Sequence, residues 1–267
     1  QSLDSIVDKG VEVFRDINLE ELINEELSTE HSLELYPQAL GNKLESGVRP
    51  GDHIIVYARP ETGKTAICLS FSGGFCRQGA DGIYFGNEDR VQRLLLRQVS
   101  NLTGLTTSEI RQDPHGAMAR AKEAGIDHVT FVSLSPGTPA IIEEYVERYK
   151  PRWIIVDQLR NLYMKADNRV IQLEAAATAL RNIGKRHGCV VISVTQAGDS
   201  ASGKEVLDMG DVDFSNTGIP AQADVMIGVG VSPTLEQQNV RMLSLPKNKL
   251  GGDHTPVAVK INPYLSR

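Results

Sequence analysis

The segment Ala58-Arg59-Pro60-Glu61-Thr62-Gly63-Lys64-Thr65 constrains this chain more than any other eight residues. The apolar run at 53–57 before it predicts a strand, and the pattern at 66–78 after it predicts a helix. A turn between a strand and a helix points its own N–H groups and those of the helix start at one anion. The sequence therefore predicts a loop that binds the phosphates of a nucleotide.

The residue types within the loop fit this chemistry. Gly63 lets the backbone approach a phosphate closely, Lys64 supplies positive charge for the β- and γ-phosphates, and Thr65 offers a hydroxyl to Mg²⁺. Ala58 stands where the pattern has its first glycine, and we expect phosphate binding to survive that change. The alternative interpretation is a chance Gly-Lys-Thr at a helix start. The predicted nucleotide contacts are Arg59, Pro60, Glu61, Thr62, Gly63, Lys64, Thr65 and Ala66.

Composition limits the class of protein. The 267 residues fit one large α/β domain with or without an appendage. The net charge of −6 provides no overall basic field toward nucleic acid or membrane, although a few basic residues on one loop suffice to contact DNA. No apolar run approaches a membrane span, and no signal peptide is visible. Cys68, Cys76 and Cys189 lie in apolar patterns without metal-ligand spacing, as expected of reduced core residues in a cytoplasmic protein.

Two units are expected along the chain. Residues 1–30 have an acidic helical pattern with an apolar stripe, which predicts an N-terminal arm that docks on its own domain or on a neighbouring subunit. Residues 31–267 are expected to form the main domain, and residues 29–50, which cross that boundary, read as a connector into the first strong strand. Because the chain begins with Gln1 rather than Met, we expect a fragment that a further N-terminal domain once preceded.

Strands and helices alternate from residue 53 onward. Continuous apolar strands separated by helices predict an α/β fold with a mostly parallel central sheet, helices on both faces and later antiparallel strands at one edge. Asp167 is the expected N-cap of the longest helix. Strands are predicted at 53–57, 82–85, 128–132, 153–156, 189–194, 225–229, 240–245 and 257–261, and helices at 66–78, 89–102, 108–112, 116–124, 138–150 and 167–187.

Two acidic residues follow apolar strands. Asp157 ends the run Trp153-Ile154-Ile155-Val156, the position of a carboxylate that supports the metal of a bound nucleotide. Glu88 follows the strand at 82–85 and is the candidate base for the attacking water. The alternatives are a strand-capping aspartate and a solvated surface acid.

Polar residues end two further strands. Gln196 follows the strand at 189–194, where an amide can sense the γ-phosphate and pass the signal to the next loop; the alternative is an exposed amide. Lys247 and Lys249 lie two apart on an extended segment and so point the same way, which suits one phosphate group. In a monomer they would be a solvated pair on an edge strand.

Together these segments resemble the RecA-fold motor domain of DnaB-type replicative helicases, including the phage versions. The resemblance covers residues 40–262 in order and spacing, which is far more specific than the phosphate loop alone. Residues 49–52 leading into 58–66 resemble the family's first motif, and Asn87-Glu88 stands where the family has its catalytic glutamate. Asp157 matches the Walker B aspartate, Gln196 matches the glutamine of the third motif, and residues 215–225 resemble the fourth motif.

The resemblance implies an ATP- and Mg²⁺-dependent helicase of the bacterial or phage-infected cytoplasm. It implies a hexameric ring with ATP between subunits, single-stranded DNA in the channel, and a primase or N-terminal domain as a further partner. Most DnaB-type proteins place an arginine finger two residues after a lysine, whereas this chain has Lys247 and Lys249. A lysine stabilises transition-state charge but cannot grip it bidentately. In this respect the chain is similar to RecA-type recombinases.

Loops that face the ring centre would contact DNA. Lys204 and Asn216, within the glycine- and aspartate-rich stretch and the fourth motif, are the DNA-binding candidates, with Arg160, Lys165 and Arg169 as further basic residues. Each could equally be a solvated surface residue. Two other functions remain open: a RecA-like recombinase or annealing ATPase that forms filaments on DNA, and a P-loop regulatory module that binds a protein partner without DNA.

Overall fold

The computed structural model describes residues 18–20, 31–45, 47–214 and 217–266. Most of the predicted N-terminal arm therefore lies outside the described residues, and so does Asn216.

An eight-stranded sheet forms the centre of the described domain. Its order is β3-β2-β4-β5-β1-β6-β7-β8, with the first six strands parallel and β7 and β8 antiparallel at one edge. This confirms the predicted α/β fold with a mostly parallel sheet. The strands are β1 (His53–Ala58), β2 (Gly82–Gly86), β3 (Val129–Ser133), β4 (Trp153–Asp157), β5 (Val190–Gln196), β6 (Val225–Gly230), β7 (Val240–Asn248) and β8 (Val257–Lys260).

Helices cover both faces because the central strands are apolar on both sides. Alternate residues of β1 enter two separate cores: Ile54 and Val56 pack on one face, Ile55 and Tyr57 on the other. The helices are α1 (Gln38–Gly41), α2 (Lys64–Arg77), α3 (Val91–Thr103), α4 (Thr107–Gln112), α5 (Pro114–Glu123), α6 (Pro139–Tyr149), α7 (Arg169–His187), α8 (Gly218–Ala221) and α9 (Pro233–Gln237). Short 3₁₀ turns connect several of them.

Two local expectations were wrong. The N-cap of α7 is Asn168, whose side chain accepts a hydrogen bond from the N–H of Ile171, and Asp167 lies one residue too early to reach that group. The segment at 29–50 is more than a connector. Leu33 and Val48 form an antiparallel bridge, and both are buried with three other leucines of the segment, so its described part belongs to the core.

Candidate nucleotide site

The loop between β1 and α2 has the backbone of an anion cradle. Gly63 caps the helix with φ 118° and ψ 18°, and Glu61 also has a positive φ of 61°. A side chain at Gly63 would be strained by that φ, even though a Cβ there would meet no atom within 4 Å. The helix then begins at Lys64, so its free N–H groups face the space in front of the loop.

The Lys64 ammonium lies inside the loop. The residue is 7% exposed, and Nζ donates hydrogen bonds to the carbonyl oxygens of Ala58 (3.1 Å) and Arg59 (3.0 Å). Burial lowers the pKa of Lys64, while the carboxylates of Glu88 and Asp157 oppose that shift. The cation is thus held at the loop, close to two acidic groups that the sequence predicted for the same site.

Ala58 is the last residue of β1 and is fully buried. It pairs with Gln196 on one side and with Val229 on the other, and it is not among the residues with positive φ. The first position of the phosphate motif here has strand geometry, which any residue with a Cβ adopts. The backbone freedom of glycine is needed at Gly63 instead.

Asp157 ends β4 and is 3% exposed. Its Oδ2 accepts hydrogen bonds from the hydroxyls of Thr65 (3.1 Å) and Tyr84 (2.9 Å). Its Oδ1 is buried and has no hydrogen-bond partner among the described residues. Burial raises the pKa of Asp157 to about 6, against the effect of the two hydroxyl hydrogen bonds.

These atoms fit a divalent cation. An orphaned carboxylate oxygen beside a threonine hydroxyl is a pair of hard oxygen ligands, and Mg²⁺ takes the rest of its shell from water and nucleotide phosphates. Asp157 and Thr65 are therefore the residues that would hold the metal.

Glu88 follows β2, at the same edge of the sheet. Its Oε2 accepts a hydrogen bond from the side-chain amide of Gln158, the residue after Asp157. Asn87 binds both backbone groups of Gln158: its Oδ1 accepts from the N–H, and its Nδ2 donates to the carbonyl oxygen at 2.9 Å. The sequence reasoning missed Gln158 and the role of Asn87. The available signal was that each is a polar residue directly after a buried apolar strand, Asn87 after β2 and Gln158 after β4.

Gln196 ends β5, between β4 and β1. Its Oε1 accepts a hydrogen bond from the guanidinium of Arg160, and Arg169 donates to the carbonyl oxygen of Arg160. Burial, and secondarily the charge of Arg160, lower the pKa of Arg169. Two arginines from the segment after Asp157 therefore lie beside the predicted γ-phosphate sensor, whereas Lys165 is exposed on the loop between them.

Lys247 and Lys249 lie at the opposite end of the sheet from the phosphate loop. Lys247 pairs in register with Met226 at the start of β6, whereas the end of β6 adjoins Ala58. Lys247 Nζ donates to the carbonyl oxygen of Pro220 at 2.6 Å, and Lys249 Nζ lies 3.2 Å from Asp224 Oδ1. Within one chain, Lys247 and Lys249 therefore lie away from Lys64.

Lys204 is exposed and paired within its own loop. Its Nζ lies 2.8 Å from Oδ1 of the buried Asp211 and 3.9 Å from Asp208. The hydrogen bond to Asp211 raises the pKa of Lys204. A phosphate that binds Lys204 must therefore compete with Asp211.

Arg241 was not singled out from the sequence. It is buried on β7, and its Nε donates to the carbonyl oxygen of Thr62 in the phosphate loop at 2.8 Å. It borders a cavity of about 430 Å³ that begins at Gly63 and follows α2. The other walls are mainly apolar and include Ile67, Val229, Leu243, Val259 and Ile261. No periodicity in the sequence marks an arginine on β7 as a neighbour of residue 62.

No helix of the described residues has both the length and the apolar character to cross a bilayer.

Comparisons with known proteins agree with this geometry. The chain is 25% identical over 166 residues to the replicative DNA helicase DnaB of Nostoc sp. (strain PCC 7120), a match that covers 57% of this chain and 19% of that protein. The chain thus spans about a fifth of the length of that curated relative. Among solved structures, one ATPase domain superimposes with a TM-score of 0.81 at 16% identity, covering 96% of this chain and 98% of that one.

A DnaB-like replicative helicase, solved in a study of its interactions with primase, has a TM-score of 0.81 at 15% identity and covers 99% of this chain and 70% of that one. These structural likenesses show the shared RecA-like fold. The family described as "DnaB-like helicase C terminal domain" matches residues 38–227, which is most of the chain. The chain therefore belongs to the DnaB-like helicase C-terminal domain family.

Proposed function

We propose that this chain is the ATP-hydrolysing motor domain of a ring-forming replicative DNA helicase that translocates on single-stranded DNA. The observation that carries the proposal is the convergence of Lys64, Thr65, Glu88 and Asp157 at one edge of the sheet. Hydrolysis of a phosphoanhydride needs a phosphate-binding cation, a metal-supporting carboxylate and a base for water, and these residues provide all three.

Phosphate binding, metal binding and proton transfer are assigned to different residues. Lys64 and the backbone N–H groups of residues 61–66 bind the β- and γ-phosphates, and Thr65 and Asp157 hold Mg²⁺. When bound, the metal neutralises charge that develops on the phosphate oxygens. Glu88 accepts the proton of the attacking water, and the exposed position of its carboxylate leaves room for that water.

The cavity along α2 suits the base of the nucleotide. It is continuous with the phosphate loop at Gly63 and has mostly apolar walls, and Arg241 is a polar group at its border. A planar heterocycle buries apolar area there, and Arg241, with Arg77 and Lys260 also on the lining, supplies polar groups that can orient it. The volume of about 430 Å³ exceeds what a base alone requires, so the cavity does not by itself select a purine.

The position of Lys247 and Lys249 supports a site shared between subunits. Lys247 lies beside Met226 and Ala58 beside Val229, so roughly 10 Å along β6 and two strand spacings of roughly 5 Å each separate Lys247 from the start of its own phosphate loop, and Lys249 lies further away. Residues at that distance do not reach their own γ-phosphate, but they reach a neighbour's in a head-to-tail ring. We propose that they act on the neighbouring subunit's ATP in a hexamer.

Contacts at Gln196 support coupling between ATP and DNA. Gln196 links to Arg160, and its backbone carbonyl accepts from the N–H of Asp213. That bond ties the sensor to the loop that holds Lys204 and leads to Asn216. We propose that this loop contacts single-stranded DNA through phosphates, and that a primase or an N-terminal domain is a further partner of the assembled protein.

One observation favours a second candidate. The lysine pair in place of an arginine resembles RecA-type recombinases, which form filaments on DNA and use ATP as a switch. Negative-stain images with ATP and single-stranded DNA separate closed rings from open filaments. A regulatory module without DNA is the third candidate, and it predicts ATP turnover that single-stranded DNA does not stimulate.

The test is ATP turnover with and without single-stranded DNA, combined with mass measurement in solution. We expect DNA-stimulated hydrolysis, a hexameric mass, and loss of nucleotide binding in Lys64→Ala. Lys185→Ala, an exposed lysine near the end of α7, is the matched control and should behave as wild type. Turnover that ignores single-stranded DNA would overturn both DNA-motor proposals.

A further inference from the structure

Gln158 is a buried amide at the edge of the candidate site. It follows Asp157 directly and is 1% exposed. Asn87 holds its backbone on both sides, as donor to the carbonyl and as acceptor from the N–H. The backbone of Gln158 is therefore fixed to the residue that precedes Glu88 in the chain.

Hydrogen bonding to Glu88 determines which end of the Gln158 side-chain amide faces that carboxylate. Its Nε2 donates to Oε2 of Glu88. An ionised carboxylate only accepts hydrogen bonds, so the NH₂ end of the amide must face Glu88 and the carbonyl end must face away. That carbonyl oxygen, Oε1, is buried and has no hydrogen-bond partner among the described residues.

The unpaired buried oxygen of Gln158 has a free-energy cost that other contacts of the side chain must offset. Leaving a buried acceptor unsatisfied costs roughly 1–3 kcal/mol, which an apolar side chain of the same shape avoids. The compensating contact is the one to Glu88. Within the described residues, no other side chain or backbone group hydrogen-bonds the Glu88 carboxylate, which otherwise keeps the freedom of an exposed glutamate.

We propose that Gln158 is a positioning residue that holds the Glu88 carboxylate for hydrolysis, an inference that rests on the proposed ATPase function. Gln158 does not touch the reacting atoms in this assignment. It acts through Glu88 by limiting the directions from which the carboxylate meets the attacking water. A base displaced by about 1 Å can lose on the order of 100-fold in rate without loss of substrate binding.

The test compares Gln158→Met with wild type, since methionine keeps the shape and removes the donor. We expect kcat to fall roughly 10- to 100-fold while KM for ATP and nucleotide affinity change less than about threefold. Gln98→Met is the matched control. Gln98 is also a fully buried glutamine with an unpaired Oε1, but it lies on α3 and donates to the carbonyl oxygen of Leu69. Its substitution should leave kcat unchanged.

A double-mutant cycle separates positioning from structural support. In a Glu88→Gln background there is no base to position, so adding Gln158→Met should change the residual turnover less than about twofold. Equal losses in both backgrounds would overturn the proposal. If Gln158→Met does not fold, Gln158→Asn provides the same test, because it keeps an amide but withdraws the donor by one methylene. Wild type without ATP turnover would remove the proposed function itself, whereas active wild type with a fully active Gln158→Met overturns only this inference.

Discussion

Thr65 Oγ1 donates a hydrogen bond to Asp157 Oδ2 at 3.1 Å, although 92 residues separate the two in the chain. Thr65 is placed by the start of α2, and Asp157 by the end of β4. The strand β5 lies between β4 and β1, so the contact spans the sheet edge in front of β5. The candidate phosphate loop and the carboxylate proposed to support the metal are therefore joined directly by protein atoms.

Glu88→Gln should bind nucleotide normally and turn it over very slowly. The amide keeps the shape of the side chain but cannot accept a proton, which costs roughly 10²- to 10⁴-fold in kcat. Nucleotide titration and steady-state ATP turnover measure the two effects separately. Hydrolysis at the wild-type rate would show that another group is the base.

Lys249→Ala should inhibit hydrolysis when mixed into wild-type assemblies. The lysine is 51% exposed in its pairing with Asp224, so the loss of that pair costs the fold at most about 1 kcal/mol. The loss of activity should therefore exceed any loss of stability, and it should grow faster than the fraction of variant subunits. Lys122→Ala, an exposed lysine on α5, is the control. A strictly proportional decline would contradict a site shared between subunits.

Ala58→Gly should leave nucleotide affinity unchanged and lower the free energy of unfolding. Ala58 has strand geometry and is fully buried between β5 and β6. Glycine at this position increases the conformational entropy of the unfolded chain, and the strand geometry does not require the extra backbone freedom. We expect a loss of about 0.5–1 kcal/mol in denaturant unfolding. Clearly tighter nucleotide binding in the variant would mean that the loop requires a glycine there after all.

His53 should make the domain less stable as the pH falls from 6.5 to 4, against an opposite contribution from Asp157, whose raised pKa of about 6 lets the folded chain bind a proton in part of the same range. His53 is fully buried at the start of β1, where Nδ1 lies 2.9 Å from the carbonyl oxygen of Gln222 and Nε2 lies 2.8 Å from Ser193 Oγ. Burial lowers the pKa of His53 from 6.5 to about 4, so the unfolded chain binds a proton in this range that the folded chain does not. The stabilisation is complete above pH 6.5 and is lost as the pH falls toward 4, by about 3 kcal/mol.

Denaturant unfolding at a series of pH values measures this dependence. Between pH 4 and 6.5 the free energy of unfolding should rise with pH clearly less in His53→Gln than in wild type, whatever the stability of the variant itself. His115→Gln, at an exposed position on α5, should retain the slope. An unchanged slope in His53→Gln would show that other groups produce the acid sensitivity.

Local signals in the sequence were sufficient for the elements and for several candidate residues. Each strand and helix predicted from residue 53 onward has a counterpart, since apolar periodicity reports burial of a segment whatever it packs against. Asp157 and Glu88 could be placed at strand ends, because parallel strands present their carboxyl ends at one edge. The cap of α7 was missed by one residue, because Asn168 rather than Asp167 reaches the N–H of Ile171.

By itself, then, the sequence determined an α/β domain with a phosphate loop and acidic residues at the ends of apolar strands. Only the tertiary structure decided which of those ends are neighbours. It joined Gln158 to Glu88 across 70 residues and Arg241 to Thr62 across 179, and it set Lys247 at the far end of the sheet. These relationships depend on strand order and register, which arise from packing between distant segments. The periodicity of apolar residues within either segment alone does not reveal them. The phosphate loop is a local motif, whereas the groups around it are brought there by the sheet.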